Sequence, residues 1–327
     1  MAKITVLGLG GWGMGLALAA HFSGNSVSMW SPFVDEAEAL KSTRKNDKLL
    51  KGIVLPEEIE ITTDLSVANE SNIAVIAVPS NAVRQTAKRL NEIGFNGIIV
   101  SASKGFEKGS LLRMSEIIAS ENQAADVVVL TGPTHAEEVS RRIPTSMVAV
   151  SKSKAAAVAV QEAFLSESLR IYIGDDIIGA EIGGAVKNII AVCAGFCSGM
   201  GLGDNTKAAL VTRGLSEMTR LGIAMGADQK TFSGLTGVGD LIVTCLSEHS
   251  RNNRFGKLIG EGVPVKEALE QVGTVEGYYA AANVHLLCEK YKIELPIMEQ
   301  CYEVLYNGKQ PVPVVKELML RPAKSEN

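Results

Sequence analysis

The stretch that decides the fold is Lys3-Ile4-Thr5-Val6-Leu7-Gly8-Leu9-Gly10-Gly11-Trp12-Gly13. Its first five residues read as a short strand, and residues 13–22 follow with a helical pattern of small and apolar side chains. Between them, glycines at 8, 10 and 13 have the spacing of a dinucleotide-binding turn. Gly8 permits the tight turn, Gly10 lets the backbone approach a pyrophosphate, and Gly13 lets the helix lie close on the sheet. The N–H groups and positive end of that helix would hold the phosphates. A glycine-rich turn without function is the bland alternative; strand before and helix after favour the dinucleotide. The same glycines argue against a signal peptide over Met1–Phe22, because they make a poor helical apolar region.

Outward from this turn, short β-branched runs recur at Ser26–Trp30, Ile73–Val78, Gly97–Ser101, Val127–Leu130, Ser146–Val150 and Arg170–Ile173. Several are almost wholly apolar, as in strands covered on both faces of a parallel sheet. Helical patterns lie between them, at Asn81–Ile93, Leu111–Ser120 and Lys154–Leu165. This alternation predicts an α/β fold, a Rossmann-like doubly wound sheet over residues 1–175. Residues 40–56 are rich in lysine and read as a solvated connection. After Asp176 the strand runs disappear, and helical periodicities follow at about 178–200, 206–225, 265–271, 277–291 and 296–306. Residues 176–327 are therefore expected to form an all-helical C-terminal domain. The chain has no repeat and no flexible linker, so the two domains are expected to pack tightly around a cleft.

Composition narrows the function. Of 327 residues, 46% are hydrophobic and 21% charged, enough apolar material to exclude disorder of the whole chain. The net charge of −4 and the lack of a basic run argue against a nucleic-acid partner. The most apolar stretch, 183–200, is interrupted by Lys187 and Asn188, so no membrane insertion is expected. Cys193, Cys197, Cys245, Cys288 and Cys301 are odd in number and follow no framework, as for reduced thiols in a cytoplasmic protein. Cys193 and Cys197 share a helix face, but His21, His135, His249 and His285 are scattered and complete no metal site.

Candidate chemistry gathers where ligands bind in open α/β sheets, at the carboxyl ends of the strands. The strand ending at Trp30 should present the residue that reads the adenosine ribose. Ser31 is neutral, Pro32 donates nothing and Asp35 lies far along, so the choice between NAD and NADP stays open. Further loops are Val78-Pro79-Ser80, Ser103-Lys104-Gly105 and Gly132-Pro133-Thr134-His135-Ala136. Lys104 directly follows a buried strand, which favours function over a surface role. His135, beside Glu137 and Glu138, reads as the start of a helix and not as an acid/base.

In the second half, Lys187 and Asn188 sit in a helix otherwise made of small and apolar residues. Glycine weakens helices, so Gly183 and Gly184 imply close packing, expected against the cofactor domain. A lysine partly desolvated there can act as a general acid/base. Asp240 and Thr244, if helical, share a face one turn apart and could orient that lysine or a substrate hydroxyl. Ser250-Arg251-Asn252 offers a guanidinium with hydroxyl and amide donors, suited to a phosphate; a surface loop is the equal alternative.

Taken together, these motifs resemble the NAD(P)-dependent glycerol-3-phosphate dehydrogenases of the bacterial type, nearly end to end. The resemblance runs through Gly8–Gly13 with Trp12, Lys104-Gly105, residues 132–138, Gly184-Ala185-Val186-Lys187-Asn188, residues 201–209, Gly239-Asp240-Leu241, His249-Ser250-Arg251-Asn252 and Val275-Glu276-Gly277. It implies interconversion of dihydroxyacetone phosphate and sn-glycerol 3-phosphate with NAD or NADP, feeding glycerophospholipid synthesis. By the resemblance, Lys187 matches the general acid/base. Lys104, Asn188, Asp240 and Thr244 would orient the reacting oxygen and Lys187; Gly132, Thr134, Ser250, Arg251 and Asn252 fall on substrate positions. Gly8, Gly10, Gly11, Trp12, Gly13, Ser31, Lys104, Ala136, Arg251 and Glu276 fall on cofactor positions. Two departures stand out: Ser31-Pro32 where an Arg or similar group is usual, and Thr134 for a more usual Ser. Two other readings stay open here, a β-hydroxyacid or 6-phosphogluconate-type dehydrogenase and a nucleotide sensor without turnover. A homodimer is expected from apolar helix faces to spare.

Overall fold

The computed structural model describes residues 1–247, 250–323 and 325 of the chain. His249 lies outside them. By internal contacts the chain divides into two units, Met1–Glu181 and Ile182–Asn327.

The apolar runs of the first unit form one eight-stranded sheet: β1 (Lys3–Leu7), β2 (Ser26–Trp30), β3 (Glu60–Thr62), β4 (Ile73–Ile76), β5 (Ile98–Ser101), β6 (Asp126–Thr131), β7 (Thr145–Val150) and β8 (Leu169–Gly174). The order is β3-β2-β1-β4-β5-β6-β7-β8. Strand side chains alternate between two cores, which is what doubly wound means in packing terms. Val75, Val100 and Val128 join α1 (Gly11–Phe22) and α6 (Lys154–Phe164) on one face. Ala74, Ile76 and Ile99 join α3 (Val83–Glu92) and α4 (Met114–Glu121) on the other.

The sheet is parallel except at one pairing. β6 and β7 run antiparallel, with Val129 opposite Val150, whereas β8 again pairs parallel with β7. The helix between them, α5 (Ala136–Ser140), is five residues and about 7.5 Å long, too short to run back along a strand as the helix of a parallel crossover does. The stretch 40–56 differs from expectation. It follows α2 (Val34–Thr43) as a loop whose Leu50 and Leu55 are fully buried, so it is half core and not simply solvated.

The second unit is helical: α7 (Ile177–Gly199), which begins before the division, α8 (Asp204–Ala224), α9 (Asp240–Leu246), α10 (Arg251–Gly260), α11 (Val265–Val272), α12 (Glu276–Tyr291), α13 (Pro296–Tyr306) and α14 (Pro311–Met319). By length and hydropathy α7 could cross a bilayer, yet 89% of its apolar window is buried within the protein, as for a core helix. Glycines let helices touch backbone to backbone. A Cβ on Gly195 or Gly199 of α7 would lie 2.2 Å from the Asn253 or Lys257 carbonyl of α10. On α10, Gly256 and Gly260 approach the Val192 and Phe196 carbonyls of α7 in the same way.

Glu217 of α8 is buried and caps α13 by accepting from the Ile297 and Met298 N–H groups at 2.9 and 3.2 Å. Burial pushes its carboxyl up to about 7, against the lowering effect of those two N–H groups. All five cysteines are buried free thiols. Burial holds Cys197 and Cys245 at about 11 and 12, where the reactive thiolate is scarce.

Candidate active site

In the sheet unit, the turn after β1 is built for a close-lying ligand. Gly8 has φ +122° and lies against the Ala77 carbonyl, and its N–H donates to the Trp30 carbonyl at 2.9 Å. A Cβ on Gly13 would fall 2.1 Å from the Gly8 carbonyl, whereas nothing stands within 4 Å of the same point on Gly10. The close contacts fix the turn, and the open side at Gly10 leaves room for a pyrophosphate against the first N–H groups of α1. The first turn of α1 has no acidic side chain to oppose one. These residues fit a dinucleotide.

Around the turn, Trp12 donates its ring N–H to the Ala102 carbonyl at 3.2 Å, tying α1 to the end of β5. Ala136 opens α5 and packs against Gly15 of α1. His135 takes the N-cap position of α5, in keeping with a helix start. The Leu49 carbonyl lies 2.9 Å from where a Cβ on Gly11 would be. The segment after α2 therefore belongs to this site, which the sequence reading missed. The signal was Leu49-Leu50, an apolar pair inside a lysine-rich stretch.

At the ends of β5 and β6 the predicted residues converge. Lys104 donates from Nζ to the Gly132 carbonyl at 3.3 Å, and Thr134 from its hydroxyl to the same oxygen at 3.2 Å. Gly132, at φ +142° and against Met147 and Ser146, could not carry a side chain without strain. The loop that carries Lys104 is pinned by Arg84, whose guanidinium grips Glu107 with two bonds of 2.7 Å and also meets Glu121. The Arg84 guanidinium holds the Glu107 carboxyl below its usual range. Behind this loop, Glu181 accepts from Arg113 at 2.5 Å and from the Ser115 N–H at 2.7 Å, which caps α4. Burial pushes the Glu181 carboxyl up, with Arg113 opposing.

In the helical unit, Gly183 explains how Lys187 finds its partner. A Cβ there would lie 2.2 Å from the Thr236 carbonyl, so α7 presses directly on a π-helical turn, Leu235–Gly239, that runs into α9. That contact lies within the helical unit, not against the cofactor domain as the sequence reading had it. One helical turn further along each element stand Lys187 and Asp240. Lys187 donates to the Asp240 carboxylate and, at 2.7 Å, to the Thr244 hydroxyl; Thr244 in turn donates to the Asp240 carbonyl at 2.6 Å. Lys187 is 5% exposed and Asp240 fully buried. A buried ion pair stabilises no more than an apolar pair of equal volume, so its presence here is better explained by chemistry than by stability.

Asn188, next on α7, accepts from the Asn252 amide at 3.0 Å, and Asn252 accepts from the Gly277 N–H at 2.8 Å. Asn252 thus braces Asn188 and the start of α12. Gly277 is glycine because a Cβ would lie 2.5 Å from the Asn188 carbonyl. Glu276 is the first residue of α12. Ser250 is the N-cap of α10 and accepts from the Asn253 N–H at 3.2 Å. Arg251 follows it, exposed on the first turn of a ten-residue helix. Among the described residues, no group of three His, Cys, Asp or Glu side chains could hold a metal ion.

Comparison with known proteins places the fold in a family. Residues 3–157 match the family model of the NAD-dependent glycerol-3-phosphate dehydrogenase N-terminus, and residues 176–316 that of the C-terminus. The chain is 49% identical to glycerol-3-phosphate dehydrogenase [NAD(P)+] of Thermoanaerobacter sp. (strain X514), over 99% of this chain and 98% of that one. It is 47% identical to the enzyme of the same name from Fusobacterium nucleatum, over 100% and 99%. Among solved structures, a glycerol-3-phosphate dehydrogenase from Coxiella burnetii superposes with a TM-score of 0.93 at 36% identity, covering 98% of this chain and 99% of that one.

Proposed function

The chain belongs to the NAD-dependent glycerol-3-phosphate dehydrogenase family, and from that premise we propose how its own residues divide the work. It is an oxidoreductase that interconverts dihydroxyacetone phosphate and sn-glycerol 3-phosphate with NAD(P)H. Residues 1–175 hold the dinucleotide, through Gly8, Gly10, Gly11, Trp12, Gly13, Lys104 and Ala136, with Ser31 at the ribose end as a support and not a direct contact, and with Arg251 and Glu276 contributed by the helical residues 176–327. Hydride exchange at the substrate C2 is the chemistry a bound nicotinamide dinucleotide supplies.

Lys187 is the acid/base. In reduction its ammonium gives a proton to the ketone oxygen as C2 gains hydride, and in oxidation its neutral amine takes the hydroxyl proton. The observation that carries this role is its buried position between Asp240 and Thr244, both of which accept its N–H bonds. Asp240 and Thr244 accept from the Lys187 ammonium and fix its place for proton transfer. Asn188, held by Asn252, and the cluster of Lys104, Gly132 and Thr134 orient the substrate. Arg251 and the Ser250 turn take the phosphate.

We propose further that the product feeds glycerophospholipid synthesis and that the enzyme is a cytoplasmic homodimer. The dimer is tested by the mass of the purified protein in solution. The acid/base is tested by Lys187→Ala, followed through the absorbance of the reduced nicotinamide. Turnover should fall by roughly a hundredfold to ten-thousandfold, with dinucleotide binding retained. Full activity in that variant removes Lys187 from the role.

A further inference from the structure

The end of β2 carries a feature that the turn after β1 does not explain. Leu7 and Trp30 are in register on β1 and β2, and the Gly8 N–H to Trp30 carbonyl bond fastens the two loops that follow. Ser31 therefore stands beside the glycine turn, where the adenosine ribose of a bound dinucleotide belongs. Its side chain is nearly inaccessible and fully engaged: the hydroxyl donates to the Glu36 carboxylate at 2.6 Å and accepts from the Phe33 N–H at 3.3 Å. Glu36 lies in the first turn of α2, five positions beyond the place where a ribose-reading acid usually stands, and is brought back by this bond.

The residues next to Ser31 carry the same sign, and the cations begin only with Lys41 and the lysine-rich stretch after it. Residues 31–40 contain Asp35, Glu36 and Glu38 and no lysine or arginine. Arg44, at the far end of α2, is turned to the Ile59 carbonyl at 2.6 Å and to Glu57 at 3.1 Å, and Arg89 stacks over the Trp30 ring. Phe33 and Val34 are exposed beside Ser31 and offer an apolar wall for an adenine face.

We propose that Glu36, held by Ser31, makes this enzyme select NADH over NADPH. The carboxylate accepts from the ribose 2′-hydroxyl of NADH. Against a 2′-phosphate it sets a negative charge at close range, so discrimination comes from repulsion as well as attraction. The inference rests on the dinucleotide reading of the Gly8–Gly13 turn.

The test is direct titration of the folded protein with NADH and with NADPH, read by the fluorescence of the bound reduced nicotinamide, beside kcat/KM for each with dihydroxyacetone phosphate. The wild type should bind NADH about tenfold tighter or better, the size expected for a dianion facing a carboxylate across a few ångströms of wet surface. Glu36→Gln keeps the shape and removes the charge, and should close most of that gap by strengthening NADPH. Ser31→Ala frees the carboxylate and should narrow the gap in part. Equal affinity in the wild type, or an unchanged ratio in Glu36→Gln, overturns the proposal while leaving the dinucleotide site standing. Failure of both dinucleotides to bind folded protein overturns the site and the proposal together.

Discussion

Adding one methyl group at Gly183 should reduce turnover by about a hundredfold without unfolding the protein. The Cβ of Gly183→Ala would lie 2.2 Å from the Thr236 carbonyl oxygen, a backbone atom with no rotamer to yield. α7 and the π-helical turn must part by about 0.8 Å to reach even 3.0 Å, below which such contacts are essentially never found. Lys187 and Asp240 stand one turn beyond the two residues in contact, so the displacement is delivered to the Lys187–Asp240–Thr244 group. Misplacement of catalytic groups by about 1 Å costs on the order of a hundredfold in rate. Stability should change far less, because alanine gains about 1 kcal/mol over glycine within a helix, against about 1–3 kcal/mol for overpacking. The assay is kcat with dihydroxyacetone phosphate and reduced cofactor, with the melting temperature and dinucleotide affinity as controls. A variant with wild-type kcat and an unchanged melting temperature would show that this contact does not set the geometry of the acid/base.

Two further outcomes are expected. Arg251→Ala should raise KM for dihydroxyacetone phosphate by about tenfold or more while leaving kcat less affected. At saturating dinucleotide, dihydroxyacetone, which lacks the phosphate, should not distinguish the variant from the wild type; an equal loss on both substrates under that condition would refute a phosphate role. Glu217 has a folded value near 7 against an ordinary 4.5, so the native state binds its proton more tightly than the unfolded chain. Its contribution is therefore full below about pH 4.5 and is lost as pH rises toward 7. The loss should run at up to roughly 1.4 kcal/mol per pH unit. Chemical denaturation of the wild type and Glu217→Gln across that range should show the slope only in the wild type, and parallel curves would remove Glu217 as its source.

Much of the fold could be read from the chain because its signals are local. The glycine spacing at 8, 10 and 13, the β-branched runs and the helical periods after Asp176 each need only neighbours in sequence to be recognised. What escaped was set by partners far away or by chemistry that imitates loops. β3 is three residues at a sheet edge, Glu60-Ile61-Thr62, too short for a period to develop. α10 opens Arg-Asn-Asn-Arg and looks like a surface loop, although the Ser250 cap and the i, i+4 pair Phe255 and Ile259 were available as signals. α14 starts Pro-Val-Pro, and proline is tolerated there only because it falls in the first turn.

The candidate site divides the same way. Lys187 was conspicuous as a lysine among small apolar residues, and Asp240 with Thr244 as a pair one turn apart. Nothing in the sequence, however, paired Asn188 with Asn252, whose hydrogen bond spans 64 positions. Glu36 was overlooked because the usual pattern looks for an acid at the strand end, while here one reaches back from the next helix.

The crossing of α7 and α10 has a consequence for the history of the molecule. Gly195, Gly199, Gly256 and Gly260 meet backbone with backbone, so the seam contains no side chain that could shrink to make room for another that grows. Most of a protein core drifts by such compensated exchanges, one residue enlarging as its neighbour diminishes. At these four positions no neighbour has anything to give up. The sequence should therefore be free to change around the seam and held to glycine along it, on the same helix that bears Lys187.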